Sequence, residues 1–231
     1  GETSARLRSR RFAEELTERG HEVTWLCAQW WGGSHDTFTH ETITYRSVVV
    51  DPSPTAFAAQ LPGALASLSP DIIHAVNSPP TPAVTARLTG IITRTPVVID
   101  WWCDHPADSR RRYRLSLRGV DAVTAPSETT TTRVREHGAD KEVIQTVPES
   151  IDMEKVEVTA VNDEFDFVYS RHLDRHANIE TFLLGLAEHR NHDWHAAVIG
   201  DGPRRLRAEE MATQLQIRDQ VSFLGTCSQT E

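Results

Sequence analysis

The chain has 231 residues, 39% of them hydrophobic and 25% charged, with a formal net charge of −9. That length suits one large or two smaller domains of ordinary globular composition, and the acidic excess argues against broad binding along a nucleic-acid backbone. No apolar run approaches the roughly 18 residues of a membrane span, the opening residues do not read as a signal peptide, and the odd, scattered cysteines Cys27, Cys103 and Cys227 point to reduced thiols in a cytoplasmic setting.

Residues 3–20 (TSARLRSRRFAEELTERG) predict a helix with Thr3 or Ser4 as N-cap and Gly20 just past its end. Leu7, Phe12 and Leu16 are placed on its inner side by their spacing. The run HEVTWLC (21–27) predicts a strand, and DIIHAV (71–76), PVVID (96–100), DAVTAP (121–126) and EVIQTVP (142–148) predict four more. Helical stretches lie between them, one starting near Pro82 and another after Ser127. Short apolar strands alternating with helices imply a parallel sheet covered on both faces.

The rhythm lapses over the polar stretch 148–163, and we read 151–163 as a linker between domains at 1–150 and 164–231. A second series then begins: strand DFVYS (166–170), helix NIETFLLGLAEHR (178–190), strand WHAAVIG (194–200), helix PRRLRAEEMATQL (203–215) and strand VSFLG (221–225). Ile179, Phe182, Leu183 and Leu186 have helical spacing within it. The expected fold class is α/β, two parallel-sheet domains in tandem, the second incomplete. A helix at the start with no strand before it, and an end soon after Gly225, read as a fragment of a longer protein.

In such sheets ligands bind at the carboxyl ends of the strands, where helix N-termini and backbone N–H groups favour anions. VIGDGPRR (198–205) offers Gly200, Asp201 and Gly202 for close backbone approach, or simply a tight turn. Arg205 stands where the dinucleotide fingerprint needs its third glycine, which disfavours a nicotinamide enzyme. VYSRHLDRHAN (168–178) gathers Arg171, His172, Arg175 and His176 after Ser170, cations fit for a diphosphate or for a solvated loop. VVIDWWCDHP (97–106) places Asp100, Trp101, Trp102, Asp104 and His105 just past a strand. The tryptophans suit stacking on a sugar ring, or burial in a core. Ser127 in TAPSETT (124–130) caps a helix and can face an acceptor. His189, His192 and His195 span a helix end and a strand with no completing cluster, so we read them as surface histidines and expect no metal. The basic stretch 109–118 (SRRRYRLSLR) is read as a solvated helix face rather than a lipid contact.

Taken in order, these runs resemble the glycosyltransferases of family 4. Residues 1–26 look like that family's glycine-rich opening, amphipathic helix and R-G-H-E-V strand. PDIIHAV, TPVVID, DAVTAPSE and VPESIDMEKV are similar to its successive N-terminal motifs. FVYSRHLDRHANIETFLLGLAE resembles its G-R-L-x-x-x-K loop and helix, and AVIGDGPRR with VSFLG its V-I-G-x-G-P and V-x-F-L-G. The resemblance implies two Rossmann-like domains (GT-B) and transfer of a sugar from a nucleotide-sugar donor with retention, without metal or cofactor. The acceptor would be glycan, lipid-linked or protein-linked, and the enzyme would lie in the cytoplasm or peripherally at the membrane's inner face.

It also implies roles. Gly1, Glu2, Ser170, Gly200, Asp201 and Gly202 would lie on the donor, and Asp100, Trp101, Trp102, Asp104 and Ser127 on the acceptor side. Fixed cations must stabilise the departing diphosphate. Aligned on the family's loop, Arg171 stands at its Gly, His172 at its Arg and Ala177 at its Lys. Three accounts stay open: Arg171 or Arg175 takes the diphosphate, His172 serves as a weaker cation, or the module is non-catalytic. The family's E-x₇-E carboxylates would fall after Glu231.

Overall fold

The computed structural model describes residues 4–102, 110–151, 153 and 164–227, and the chain forms two units, Gly1–Ile151 and Asp152–Glu231. Unit 1 opens on helix α1 (Ser4–Glu18). Gly20 takes φ +87, the His21 N–H reaches back to the Leu16 carbonyl at 3.0 Å, and the Gly20 N–H to that of Thr17 at 3.0 Å. This is the Schellman closure that a glycine at that place predicts. The inner face differs in part from the expected one: Phe12 packs on His74, ring centroids 5.4 Å apart, as expected. Leu16 is 36% exposed, while Arg8 and Ala13 are buried, Ala13 against Ile43 and Tyr45. A guanidinium therefore sits where a purely apolar stripe was expected.

Strand β1 (Thr24–Ala28) pairs in parallel with β3 (Ile43–Val49), and β2 (Thr37–His40) pairs antiparallel to β3. This hairpin went unread in the sequence. Its turn is Glu41-Thr42, with Glu41 at φ +54, whereas the recognisable two-residue turns carry Asn or Gly at such a position. Helix α2 (Pro54–Leu68) follows, its Ala56 N–H capped by Ser53 Oγ at 3.3 Å and Ala58, Leu61 and Leu65 turned inward.

Four strands then make a parallel sheet in the order β4 (Ile73–Val76), β5 (Val97–Asp100), β6 (Ala122–Ala125), β7 (Ile144–Thr146). Between them run α3 (Pro80–Thr93), α4 (Arg110–Leu117) and α5 (Glu128–Glu136). Val97, Ile99, Val123 and Val134 are fully buried in its core, each contributing about 1.5–3 kcal/mol by leaving water. Strands shielded on both faces need continuous apolar runs, and that continuity made them legible.

Unit 2 repeats the scheme at smaller scale: β8 (Phe167–Ser170), α6 (Ile179–Ala187), β9 (Ala196–Ile199), α7 (Arg205–Gln214) and β10 (Val221–Gly225), with all pairings parallel and the order β10-β9-β8. Ile179, Leu183 and Leu186 face the core with Phe182 against it, as their spacing predicts. Trp194, Ile217 and Val221 complete it. His189, His192 and His195 are exposed.

Candidate functional site

At the carboxyl ends of β8 and β9 two loops are joined through their backbones. The Arg171 N–H donates to the Ile199 carbonyl at 3.0 Å, the Leu173 N–H to that of Asp201 at 2.9 Å, and the Arg204 N–H to that of Leu173 at 2.9 Å. Leu173 is fully buried and pins the first loop to the core. Gly200 has φ +127, and a Cβ there would lie 2.0 Å from the Arg171 carbonyl oxygen. Gly202 has φ +153, and a Cβ would lie 2.5 Å from the carbonyl oxygen of Leu173. The close approach these glycines permit is thus to the chain's own backbone. The Gly200 N–H is already taken by the Gly225 carbonyl at 2.6 Å, and that of Gly202 by Asp201 Oδ1 at 2.7 Å. Both amides are thus engaged within the chain, in the tight turn that was one of the two readings of this glycine pair.

The first loop presents its basic side chains outward. Arg171, His172, Arg175 and His176 are exposed, as is Ser170 at the end of β8. Arg175 Nε donates to His176 Nε2 at 2.9 Å, and the His176 N–H to Asp174 Oδ1 at 2.8 Å. That amide, more than any other group, holds the Asp174 carboxyl below its usual range, with help from the charges of His176, His172 and Arg171. Among the described residues Arg171, His172 and Arg175 make no salt bridge. The arginines of the second loop and α7 are committed: Arg204 Nη1 to Glu180 Oε1 at 2.9 Å and Arg205 Nε to Glu209 Oε1 at 3.0 Å. Of the arginines in these two loops, Arg171 and Arg175 are therefore the ones that make no salt bridge among the described residues.

Ala177 explains part of the departure from the family's loop. It is 4% exposed, its carbonyl accepts from the Tyr169 hydroxyl, and its N–H reaches the Asp174 carbonyl at 3.2 Å. Asn178 follows in the left-handed region at φ +54 and starts α6 with no side-chain cap. A long cationic side chain at 177 would begin inside the packed base of the loop.

In unit 1 the expected acceptor-side residues divide. Asp100 is 1% exposed, and both its oxygens accept from Arg8 Nε at 3.1 Å. Its Oδ1 also accepts from the Thr124 hydroxyl at 2.6 Å. Trp101 is fully buried, with ring centroids 4.8 Å from Tyr113 and 5.3 Å from His137. Neither presents a surface for a sugar: Asp100 neutralises a helix arginine and Trp101 fills the core. Trp102 is half-buried, its N–H held by Asn77 Oδ1 at 2.9 Å. Ser127 is exposed and caps α5 through the Thr130 N–H at 3.2 Å. Gly1, Glu2, Asp104 and His105 lie outside the described residues.

The sequence reading missed Arg8, His74 and Asn77. Arg8 Nη1 reaches the Pro148 carbonyl at 3.4 Å and Glu149 at 3.6 Å, its guanidinium lies 4.9 Å over the Phe12 ring, and its buried Nη2 has no hydrogen-bond acceptor among the described residues. The one clue was its place a turn before Phe12, obscured by Arg6, Arg10 and Arg11 alongside. His74 keeps surface in water while protein crowds its ring, and the lost solvation lowers its pKa; Asp100 opposes this and Arg8 adds to it.

Residues 5–149 match the family model of the glycosyl transferase 4-like domain, and residues 150–231 that of glycosyl transferases group 1. Comparison with curated protein sequences gave no match. Among solved structures, a glycosyltransferase from Rickettsia africae aligns at TM-score 0.71 and 14% identity, over 94% of this chain and 63% of that one. Anabaena Alr3699/HepE in complex with UDP aligns at 0.67 and 13% identity, over 90% and 70%. WaaG, a glycosyltransferase involved in lipopolysaccharide biosynthesis, aligns at 0.61 and 14% identity, over 99% and 68%. At such identities the likeness concerns the fold, and the chain spans under two thirds of the Rickettsia protein's length. The chain, then, belongs to the glycosyl transferase 4-like family, its second unit matches the group 1 model, and its fold is that of the two-Rossmann-domain GT-B glycosyltransferases.

Proposed function

We propose that this chain provides the donor-binding and acceptor-side domains of a glycosyltransferase that moves a sugar from a nucleotide-sugar to a glycan, lipid-linked or protein-linked acceptor, with retention and without a metal. The observation that carries the reading is the loop 171–176: exposed Arg171 and Arg175, which make no salt bridge among the described residues, at the carboxyl end of the first strand of the unit that matches the group 1 model. Negative charge builds on the diphosphate as the glycosidic bond breaks, and pre-positioned cations lower that barrier. Arg171 and Arg175 bring permanent charge, and exposed His172 stands between them in sequence as a further hydrogen-bonding group. The Anabaena HepE structures hold UDP and UDP-glucose, which supports a nucleotide-sugar donor, and WaaG's part in lipopolysaccharide biosynthesis supports an envelope glycan as acceptor.

Calorimetric titration with UDP, with and without EDTA, tests this. Binding should survive EDTA and weaken at least about tenfold in Arg171→Ala or His172→Ala. Unchanged affinity in both variants would remove the loop from the donor site. The buried Ala177, where the family carries a lysine, favours a second reading: a GT-B-like module that binds nucleotide or glycan without transferring sugar. Tight UDP binding by a longer form of the protein with no sugar transfer to any acceptor would select it.

A further inference from the structure

Helix α2 packs against β3 in unit 1, and a groove of about 460 Å³ runs between them. Arg46, Ser47 and Val48 line it from β3, and Gln60, Gly63 and Ser67 from α2. Among the described residues that line it, Arg46 alone is charged. Strand pairing sets Arg46 beside Leu26 of β1, and Leu26 packs against the core that holds Leu61 and Leu65 of α2. Paired neighbours share a face of the sheet, so Arg46 stands on the α2 side. Helix α2 brings it no counter-charge, for residues 54–68 contain no ionisable side chain. Asp36 lies alongside, its carbonyl accepting from the Ser47 N–H at 2.7 Å, but its Oδ1 accepts from the Thr37 hydroxyl at 3.3 Å. Arg46 is half-buried, and among the described residues its guanidinium makes no salt bridge or hydrogen bond.

A guanidinium drawn partly out of water normally faces an anion, and in a chain of net charge −9 acids are plentiful. Among the described residues the fold gives this one no carboxylate, and it stands at the wall of a groove whose volume falls in the range of small-molecule sites. We propose that the α2–β3 groove binds a small organic anion, its phosphate or carboxylate on Arg46 and its body over Val48 and the open helix face at Gly63. The guanidinium fork pairs two oxygens of either group. Gln60, exposed on the same lining, offers an amide donor, and the Ser67 hydroxyl, which donates to the Ala64 carbonyl at 2.8 Å, keeps lone pairs for a ligand hydroxyl. Gly63 keeps the floor low: a Cβ there would meet no atom within 4 Å. The groove is lined from unit 1 alone. It is separate from the loop 171–176, and its test involves no nucleotide.

Inorganic phosphate, acetate and chloride are titrated separately into the isotope-labelled chain at constant ionic strength, with the amide resonances of Ser47, Gln60 and Gly63 followed by NMR. Phosphate, acetate or both should shift them saturably where chloride does not, and whichever binds names the charged end of the ligand. Arg46→Gln should weaken the response at least about tenfold, and Arg171→Ala should leave it intact. Gly63→Leu raises the floor from an exposed helix position; with circular dichroism like the parent's, it should weaken binding to a similar degree. Shifts that neither anion causes, that chloride causes equally, that Arg46→Gln retains or that Arg171→Ala abolishes would overturn the proposal. So would a Gly63→Leu variant that binds as the parent does, which would leave Arg46 a solvated side chain beside an empty groove.

Discussion

Arg8 and Asp100 show how one pair of residues can be read wrongly from sequence. A carboxylate ending an apolar strand looks the same whether it faces a ligand or a helix. Only the placement of α1 brings the Arg8 guanidinium onto it, 4% and 1% exposed respectively. Removing one partner strands the other charge, so Asp100→Ala should cost about 3–5 kcal/mol in urea unfolding; Thr124→Val, which deletes one hydrogen bond to the same carboxylate, should cost nearer about 1 kcal/mol. A small loss for Asp100→Ala would mean that the pair is solvated. His74 gives this network a pH dependence. Its folded pKa lies below the ordinary 6.5, so as pH falls the unfolded chain takes the proton first. Its contribution is complete above about 6.5 and declines as pH drops from there towards the folded value. Because the residue keeps surface in water, solvent screening keeps the effect small. Unfolding midpoints compared between pH 7.5 and 5.5 should show a slope that His74→Gln reduces. Burial also pushes the Cys27 thiol up to about 11, so iodoacetamide should alkylate Cys227 several times faster than Cys27 at mildly alkaline pH, as read by peptide mass mapping.

Glycines at the scale of elements fall into two kinds here. Gly200 is fixed by positive φ and by the Arg171 carbonyl 2.0 Å from where a Cβ would be. Gly200→Ala should therefore cost about 2–4 kcal/mol and disturb the 171–176 loop. Gly185, inside α6, has open space where a Cβ would stand, with no atom within 4 Å. Gly185→Ala should stabilise by about 0.5–1 kcal/mol through helix propensity. Thermal denaturation of the two variants should move in opposite directions, and equal shifts would refute the distinction. Elements with strong periodicity were legible: every strand of the β4–β10 series falls on an apolar run, and α6 buries the positions its spacing selects. The β2–β3 hairpin was not, because Glu41 supplies a left-handed turn without the residues that advertise one. On α1 Leu16 was misplaced and Arg8 missed for a different reason: an arginine with a buried partner can replace a leucine, and no local pattern announces the partner.

For the whole molecule, two α/β series in order were enough to read the fold class and the family, since each repeats a rhythm over many residues. The site was less legible. Residues 171–176 were recognisable as a basic loop, but which arginines near it are matched by carboxylates, as Arg204 is by Glu180 and Arg205 by Glu209, only packing decides. A ligand that binds only the folded chain stabilises it by mass action, about 2.7 kcal/mol at a hundredfold excess over Kd. UDP should accordingly raise the melting temperature of the parent chain, and Arg171→Ala should lose most of that shift. A shift retained in full would place the nucleotide elsewhere.

The enclosed methyl of Ala177 sets a limit on how this protein could be strengthened. Grafting the relatives' lysine into that position asks an ammonium to start from a sealed pocket, so the change would disrupt local packing before it supplied any useful charge. The open route lies elsewhere on the same loop. His172 is already exposed to water, and exchanging it for arginine would add a permanent cation while leaving the hydrophobic base untouched.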